Sequence, residues 1–80
     1  MKMERNEIQY KKYLIVAAPH KLAVTGHWST DVEIWERDYN SDKMTPYSAK
    51  NTFKTEEEAI AASLDFGKKI VDGEIQPRNK

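Results

Sequence analysis

The segment TEEEAIAASLDFGKKIVDG, residues 55–73, decides the fold that the sequence predicts. Its first four residues match a capping box. The Thr55 hydroxyl can accept the backbone N–H of Glu58, and the Glu58 carboxylate can return to the N–H of Thr55. An amphipathic pattern follows the box directly. The segment therefore predicts an α-helix that runs from about Glu56 to about Asp72.

The C-terminal end and the middle of residues 55–73 also have the composition expected of a helix that packs on a sheet. Lys68 and Lys69 suit the negative end of the helix dipole, and Gly73 suits the position after the C-cap. Apolar residues share one broad side of the helix, and the small residues Ser63 and Gly67 lie near its centre. We therefore expect a close approach between the helix and the strands at these two positions.

Three segments before the helix have the composition or the period of β-strands. Residues 10–18, YKKYLIVAA, are rich in aromatic and β-branched residues and are followed by Pro19. Residues 28–37 and 47–53 alternate between apolar and polar side chains, as half-buried strands do. The intervening residues 38–46, DYNSDKMTP, are typical of a turn.

The predicted fold class is α+β: a three-stranded antiparallel β-meander with one C-terminal α-helix packed on one face, βββα. Short connections favour strands that are neighbours in sequence and in the sheet. The length of 80 residues allows one domain, which we place at residues 8–73. Residues 1–7 and 74–80 are predicted to be flexible ends.

Charge is balanced overall but alternates along the chain. Lysine plus arginine and aspartate plus glutamate number 13 each, whereas a dedicated nucleic-acid binder usually has a basic surplus. In a meander, the acidic middle strand would lie between two lysine-bearing strands. Asp31 and Glu33 are then expected to face Lys50 and either Lys11 or Lys12 on the solvent side.

Several chemistries are disfavoured by composition. There is no cysteine, so disulfides and thiolate chemistry are excluded and a reducing, cytoplasmic location is favoured. No stretch is apolar enough to span a membrane, and the first seven residues do not resemble a signal peptide. No serine lies in a nucleophile-elbow context, and no glycine-rich phosphate loop is present. We expect no catalytic activity and no cofactor.

Two histidines are the only residues that suggest a metal site. His20 and His27, with Asp31, could be considered as ligands, but their spacing matches no standard site. Histidines in a connection between strands are more typical of solvated side chains. We therefore predict no metal.

Three pieces of the chain resemble a known group of proteins: YKKYLIVAAP at residues 10–19, VEIW at residues 32–35, and FKTEEEAI at residues 53–60 with the helix that follows. In these pieces the chain is similar to small uncharacterised bacterial proteins of a strand-strand-strand-helix type. The resemblance implies a fold and a bacterial source. It implies no activity and no functional residues.

The candidate binding residues are Tyr13, Ile15 and Trp35, with Lys11 and Lys50 at their border. If the alternate residues of the tryptophan strand face the helix, Trp35 faces away, and we expect Tyr13 and Ile15 to face away with it. Aromatic side chains inside a polar rim are typical of a protein interface. The alternative is cross-strand packing on a solvated sheet, without a partner.

Two functions are compatible with this surface. The first is a non-catalytic protein-interaction module, or a homodimer, that uses the open sheet face or an edge strand. The second is a nucleic-acid binding module for RNA or single-stranded DNA, in which lysines contact phosphates and aromatic side chains stack on bases. The neutral net charge favours the first.

Overall fold

Four antiparallel strands and one α-helix are present in the residues that the computed structural model describes, 6–37 and 42–74. Each strand pairs with its neighbours in sequence. The α+β class, the meander and the C-terminal helix are confirmed, but the prediction of three strands is wrong. The elements are β1 (Glu7–Tyr10), β2 (Tyr13–Ala17), β3 (Trp28–Arg37), β4 (Asp42–Phe53) and α1 (Glu56–Val71).

The extra strand arises because the predicted first strand is a hairpin. Tyr10 pairs with Tyr13, and only Lys11 and Lys12 connect β1 to β2. Lys11 has a φ of 56°, a conformation that glycine or asparagine usually supplies in a two-residue hairpin loop. Because Lys11 occupies this position, residues 10–13 contain none of the residue types that usually indicate a hairpin turn. Glu7, predicted to lie in a flexible end, begins β1; residues 1–5 and 75–80 lie outside the described residues.

The last strand also begins earlier than the sequence predicts. β4 starts at Asp42 and contains Pro46, which the composition had placed in a turn. Residues 38–41 of that predicted turn lie outside the described residues. Proline is tolerated here because β4 is an edge strand of the sheet.

The predicted helix boundaries are confirmed. Thr55 is the N-cap, and its Oγ1 accepts the backbone N–H of Glu58 at 3.1 Å. Gly73 follows the C-cap with a φ of 78°, and its N–H bonds to the Ile70 carbonyl at 3.0 Å. The N–H of Glu74 bonds to the carbonyl of Lys69 at 2.9 Å, which completes a Schellman motif.

The core lies between α1 and the middle of the sheet. Ser63 and Gly67 are buried on the helix, as predicted, and a β-carbon added at Gly67 would collide with Ile15 and lie 3.1 Å from Val32 Cγ2. The missing side chain therefore lets the helix backbone approach β2 and β3 directly. The buried apolar residues are Ile15, Ala17, Val32, Ile34 and Ala59.

Candidate interaction surface

Two rows of side chains cross the sheet on the side opposite α1, which we call the outer face. The strand register aligns Gln9, Leu14, Trp35 and Met44 in one row, and Glu7, Val16, Glu33 and Pro46 in the next. Five of these eight side chains are apolar. We call them the outer patch: Leu14, Val16, Trp35, Met44 and Pro46.

The burial pattern fixes which face this is. Ile15, Val32 and Ile34 are buried beneath α1. Successive side chains of a strand point to opposite faces, so Leu14 and Trp35 point away from the helix. Met44 is 41% exposed, Pro46 is exposed, and the other members of the outer patch are half-buried.

The predicted orientation of Trp35 is confirmed, but that of Tyr13 and Ile15 is wrong. Ile15 is fully buried against Gly67, and Tyr13 lies on the same face of β2, where it lines a hollow with Tyr47 and Ile70. Both faces of β2 are apolar, so alternation alone gave no preference for one of them. The close approach at Gly67 selects the face that carries Ile15.

The two predicted lysines lie away from the outer patch. Lys11 binds Asp72 beyond the end of α1, with 2.7 Å between Nζ and Oδ1. Lys50 is exposed on β4, beside the irregularity that shifts the register opposite Ser29 and Thr30. Of the residues that the sequence singled out, only Trp35 belongs to the outer patch.

The predicted pairing of acids with lysines is also wrong. Asp31 lies opposite Ser48 and accepts hydrogen bonds from the hydroxyls of Ser48 and Ser29, and Glu33 lies opposite Pro46. The indole Nε1 of Trp35 donates to Glu33 Oε1 at 3.2 Å. The extra strand and the early start of β4 change the register, so the lysines do not meet these acids.

Four members of the outer patch were not singled out from the sequence. The prediction that Tyr13 and Ile15 face away implies that Leu14 and Val16 face the helix. Met44 and Pro46 were in a segment whose composition is typical of a turn. Met44 and Pro46 occupy alternate positions with Thr45 and Tyr47 between and after them. A proline at this point is typical of a turn, so the alternation alone does not predict a strand.

The free edge of β4 lacks one backbone N–H donor, at Pro46. The Ala18 N–H bonds to the Asp31 carbonyl at 2.9 Å, which makes this a hydrogen-bonded pair of the β2–β3 ladder. Such pairs alternate, so Asp31 and Glu33 direct their backbone groups to β2. Opposite Glu33, Pro46 therefore directs its backbone away from β3, and its missing N–H lies on the free edge.

A serine, a histidine and an aspartate meet at one end of the outer face. His20 Nδ1 lies 3.2 Å from Asp31 Oδ2 and 3.1 Å from Ser29 Oγ. A Ser-His-Asp relay requires the acid on one ring nitrogen and the serine on the other. Here both contact Nδ1, and Ser29 also bonds to Asp31 directly. The cluster holds the β2–β3 connection rather than forming a relay.

Hydrogen bonds from Tyr10 and Lys11 to Asp72 join the β1–β2 hairpin to the end of the helix. The hydrogen bonds from Lys11 and from Tyr10 lower the pKa of Asp72, and Tyr10 Oη lies 2.8 Å from Asp72 Oδ2. The hydrogen bond to Asp72 raises the pKa of both Lys11 and Tyr10. These shifts reflect a structural tether in which Lys11 and Asp72 are exposed and Tyr10 is half-buried.

Two open hollows lie on the other side of the sheet, between α1 and β4. The larger measures about 370 Å³ and has Phe53 on one wall and Phe66 on the other. The smaller, about 220 Å³, contains Tyr13 and Tyr47. They exist because the helix lies over β2 and β3 and leaves the inner face of β4 partly uncovered.

A family model matches residues 3–80, almost the whole chain, and its description is "Domain of unknown function (DUF6566)". The chain belongs to this family. Searches of curated proteins and of solved structures found no match. The DUF6566 assignment agrees with the resemblance to small uncharacterised proteins, and it assigns no function to the outer patch.

Two further findings concern only residues 6–37 and 42–74. The one helix of the DUF6566 domain in this range is too short and too polar to cross a membrane. No group of three or more histidine, aspartate or glutamate side chains is arranged to hold a metal ion there.

Proposed function

We propose that this chain is a non-catalytic protein-interaction domain and that the outer face of its sheet is the contact surface. The observation that carries the proposal is the row Leu14–Trp35–Met44, which crosses three strands and is not covered by α1. Val16 and Pro46 extend it into the next row.

The geometry of this row favours a contact surface. Trp35 and Met44 form a non-hydrogen-bonded pair, in which the two Cα atoms are only about 4.5 Å apart and the side chains are closest. Leu14 flanks the indole from the other side. Tryptophan and methionine are enriched in protein interfaces, and a tryptophan near the centre is a frequent energetic hot spot.

The face is a better candidate than the edge. Strand addition depends on a row of main-chain donors and acceptors along a free strand. On β4 that row is interrupted by Pro46, and β1 has only four residues. A proline in an edge strand is a common means of preventing pairing with another chain.

Nucleic-acid binding has less support from the same surface. Glu7 and Glu33 border the outer patch, and carboxylates repel phosphates. Lys11, which the sequence suggested as a phosphate contact, is occupied by Asp72. The non-catalytic part of the proposal is supported by the His20 cluster, where a single ring nitrogen contacts both the serine and the acid.

Photo-crosslinking in cells would test the proposal. A photoreactive amino acid placed at Met44 samples the outer face, and the same amino acid at the exposed Ala61 of α1 is the matched control. We expect a discrete adduct from Met44 that disappears when Trp35→Ala is added, and none from Ala61. Equal labelling at both positions, or no adduct from Met44, would contradict the proposal.

We also infer a bacterial source and a cytoplasmic location. The first is supported by the resemblance of the strand and helix pieces to bacterial proteins. The second is supported by the absence of cysteine, which is usual where thiols are kept reduced. Fractionation of cells that express the tagged chain would place it in the cytoplasmic fraction if this inference is correct.

A further inference from the structure

The two rows that contain the outer patch carry charge of only one sign. In the two rows that contain it, the charged side chains are Glu7 and Glu33, and both are acidic. These rows contain no lysine or arginine, although acids and bases are equal in number over the whole chain.

The position of Glu33 makes this charge part of the patch. Glu33 lies between Val16 and Pro46 in its row, and Trp35 donates its indole N–H to the Glu33 carboxylate at 3.2 Å. The hydrogen bond holds the negative charge beside the indole ring. A partner that covers Trp35 must therefore also meet the Glu33 carboxylate.

A second copy of the chain is a poor match for this surface. A two-fold dimer brings the same patch of each subunit into contact. The middle of such a contact would contain two Glu33 carboxylates and no cationic side chain from these two rows. Like charges brought together at an interface are a common means of excluding a wrong partner.

We infer that the occupant of the outer face is a different protein, with an apolar contact surface that is bordered by lysine or arginine side chains. This inference rests on the proposed function and specifies the partner. An arginine would fit the site well, because its guanidinium can pair with Glu33 while its plane stacks on Trp35. The apolar side chains of the partner would cover Leu14 and Met44.

A variant of the domain in which acidic side chains of the outer face are replaced by lysine can act as a probe for an apolar surface with a cationic border. The Glu7→Lys/Glu33→Lys variant keeps the apolar outer patch and gives it a cationic border. The matched control is Glu56→Lys/Glu57→Lys, which makes the same change in net charge at exposed positions in the first turn of α1. The single change Glu33→Lys serves if the double variant does not fold, as judged by circular dichroism.

Sedimentation velocity would measure association of wild type and probe, separately and mixed. Each protein alone should stay monomeric, because each outer face repels its own copy. In dilute salt the mixture should associate at concentrations about tenfold below any at which either protein alone associates, since complementary charge favours the contact. That difference should shrink at about 0.5 M salt, where the screening length falls to a few ångströms. Trp35→Ala in the wild-type partner should abolish the association.

Three results would overturn the inference. If the wild type dimerises alone and Trp35→Ala prevents it, the occupant is a second copy and only the proposed function survives. If the control variant associates with the wild type as strongly as the probe does, the attraction is not a property of the outer face. If the mixture stays monomeric in dilute salt, a cationic apolar surface does not fit the patch. Crosslinking from Met44 then decides separately whether the face is an interface at all.

Discussion

Replacing Gly67 by alanine tests the contact that sets the position of the helix on the sheet. Gly67 is buried in the middle of α1, and its absent side chain faces Ile15 and Val32. The added methyl group would overlap Ile15 Cγ2 and lie 3.1 Å from Val32 Cγ2. Both neighbours are β-branched and buried, so their side chains have little freedom to move aside.

Two opposing effects determine the result. Alanine is favoured over glycine inside a helix by about 1 kcal/mol. Overpacking a filled core costs typically about 1–3 kcal/mol and occasionally more. Because the methyl group meets two rigid side chains at once, we take the upper end of this range. The expected net loss is therefore about 2 kcal/mol, a large part of the stability of a domain of this size.

Urea unfolding monitored by tryptophan fluorescence and by circular dichroism would measure the change in the free energy of unfolding. A loss of about 2 kcal/mol corresponds to a fall of roughly 8–16 °C in melting temperature for a domain of this length. The control is Ala61→Gly at an exposed position of the same helix, which should cost about 1 kcal/mol through helix propensity alone.

The sign of the change in unfolding free energy caused by Gly67→Ala tests whether the helix is held close to β2. If Gly67→Ala raises stability by the propensity difference, the helix is not held against β2 and the close approach is incorrect. A double-mutant cycle with Ile15 tests whether overlap with its side chain causes the loss. Ile15→Leu removes the methyl branch from Cβ, so the cost of Gly67→Ala should be smaller in that background.

Three further changes have expected outcomes. Ser63→Ala should stabilise the domain by about 1 kcal/mol in urea unfolding, because the buried Ser63 hydroxyl has no hydrogen-bond partner among the described residues; destabilisation would indicate a bonded hydroxyl. Asp72→Asn should reduce stability at neutral pH, and the difference from wild type should vanish as the pH falls through the lowered pKa of Asp72, because the contact with Lys11 favours the ionised carboxylate. A difference that persists in strong acid, in a pH series of urea unfolding curves, would argue against the tether. Pro46→Val restores an N–H on the free edge of β4 and should increase concentration-dependent association in light scattering; a variant as monodisperse as wild type would show that the proline does not protect the edge.

The sequence by itself determined the helix. Its beginning at Thr55, its end before Gly73 and the close approach at Ser63 and Gly67 all follow from local signals. Caps and turns at helix ends depend on hydrogen bonds between residues three to five positions apart, so a short window contains the necessary information. The same holds for Trp35, whose side of β3 is fixed by a strict alternation.

The tertiary structure decided the rest of the sheet and the composition of the candidate surface. β2 is apolar on both faces, and only the contact of Ile15 with Gly67 assigns Leu14 to the outer face. Pro46 reads as a turn residue until the pairing with β3 places it on an edge. These choices depend on contacts between residues far apart in the chain, where local composition gives the same signal for either arrangement.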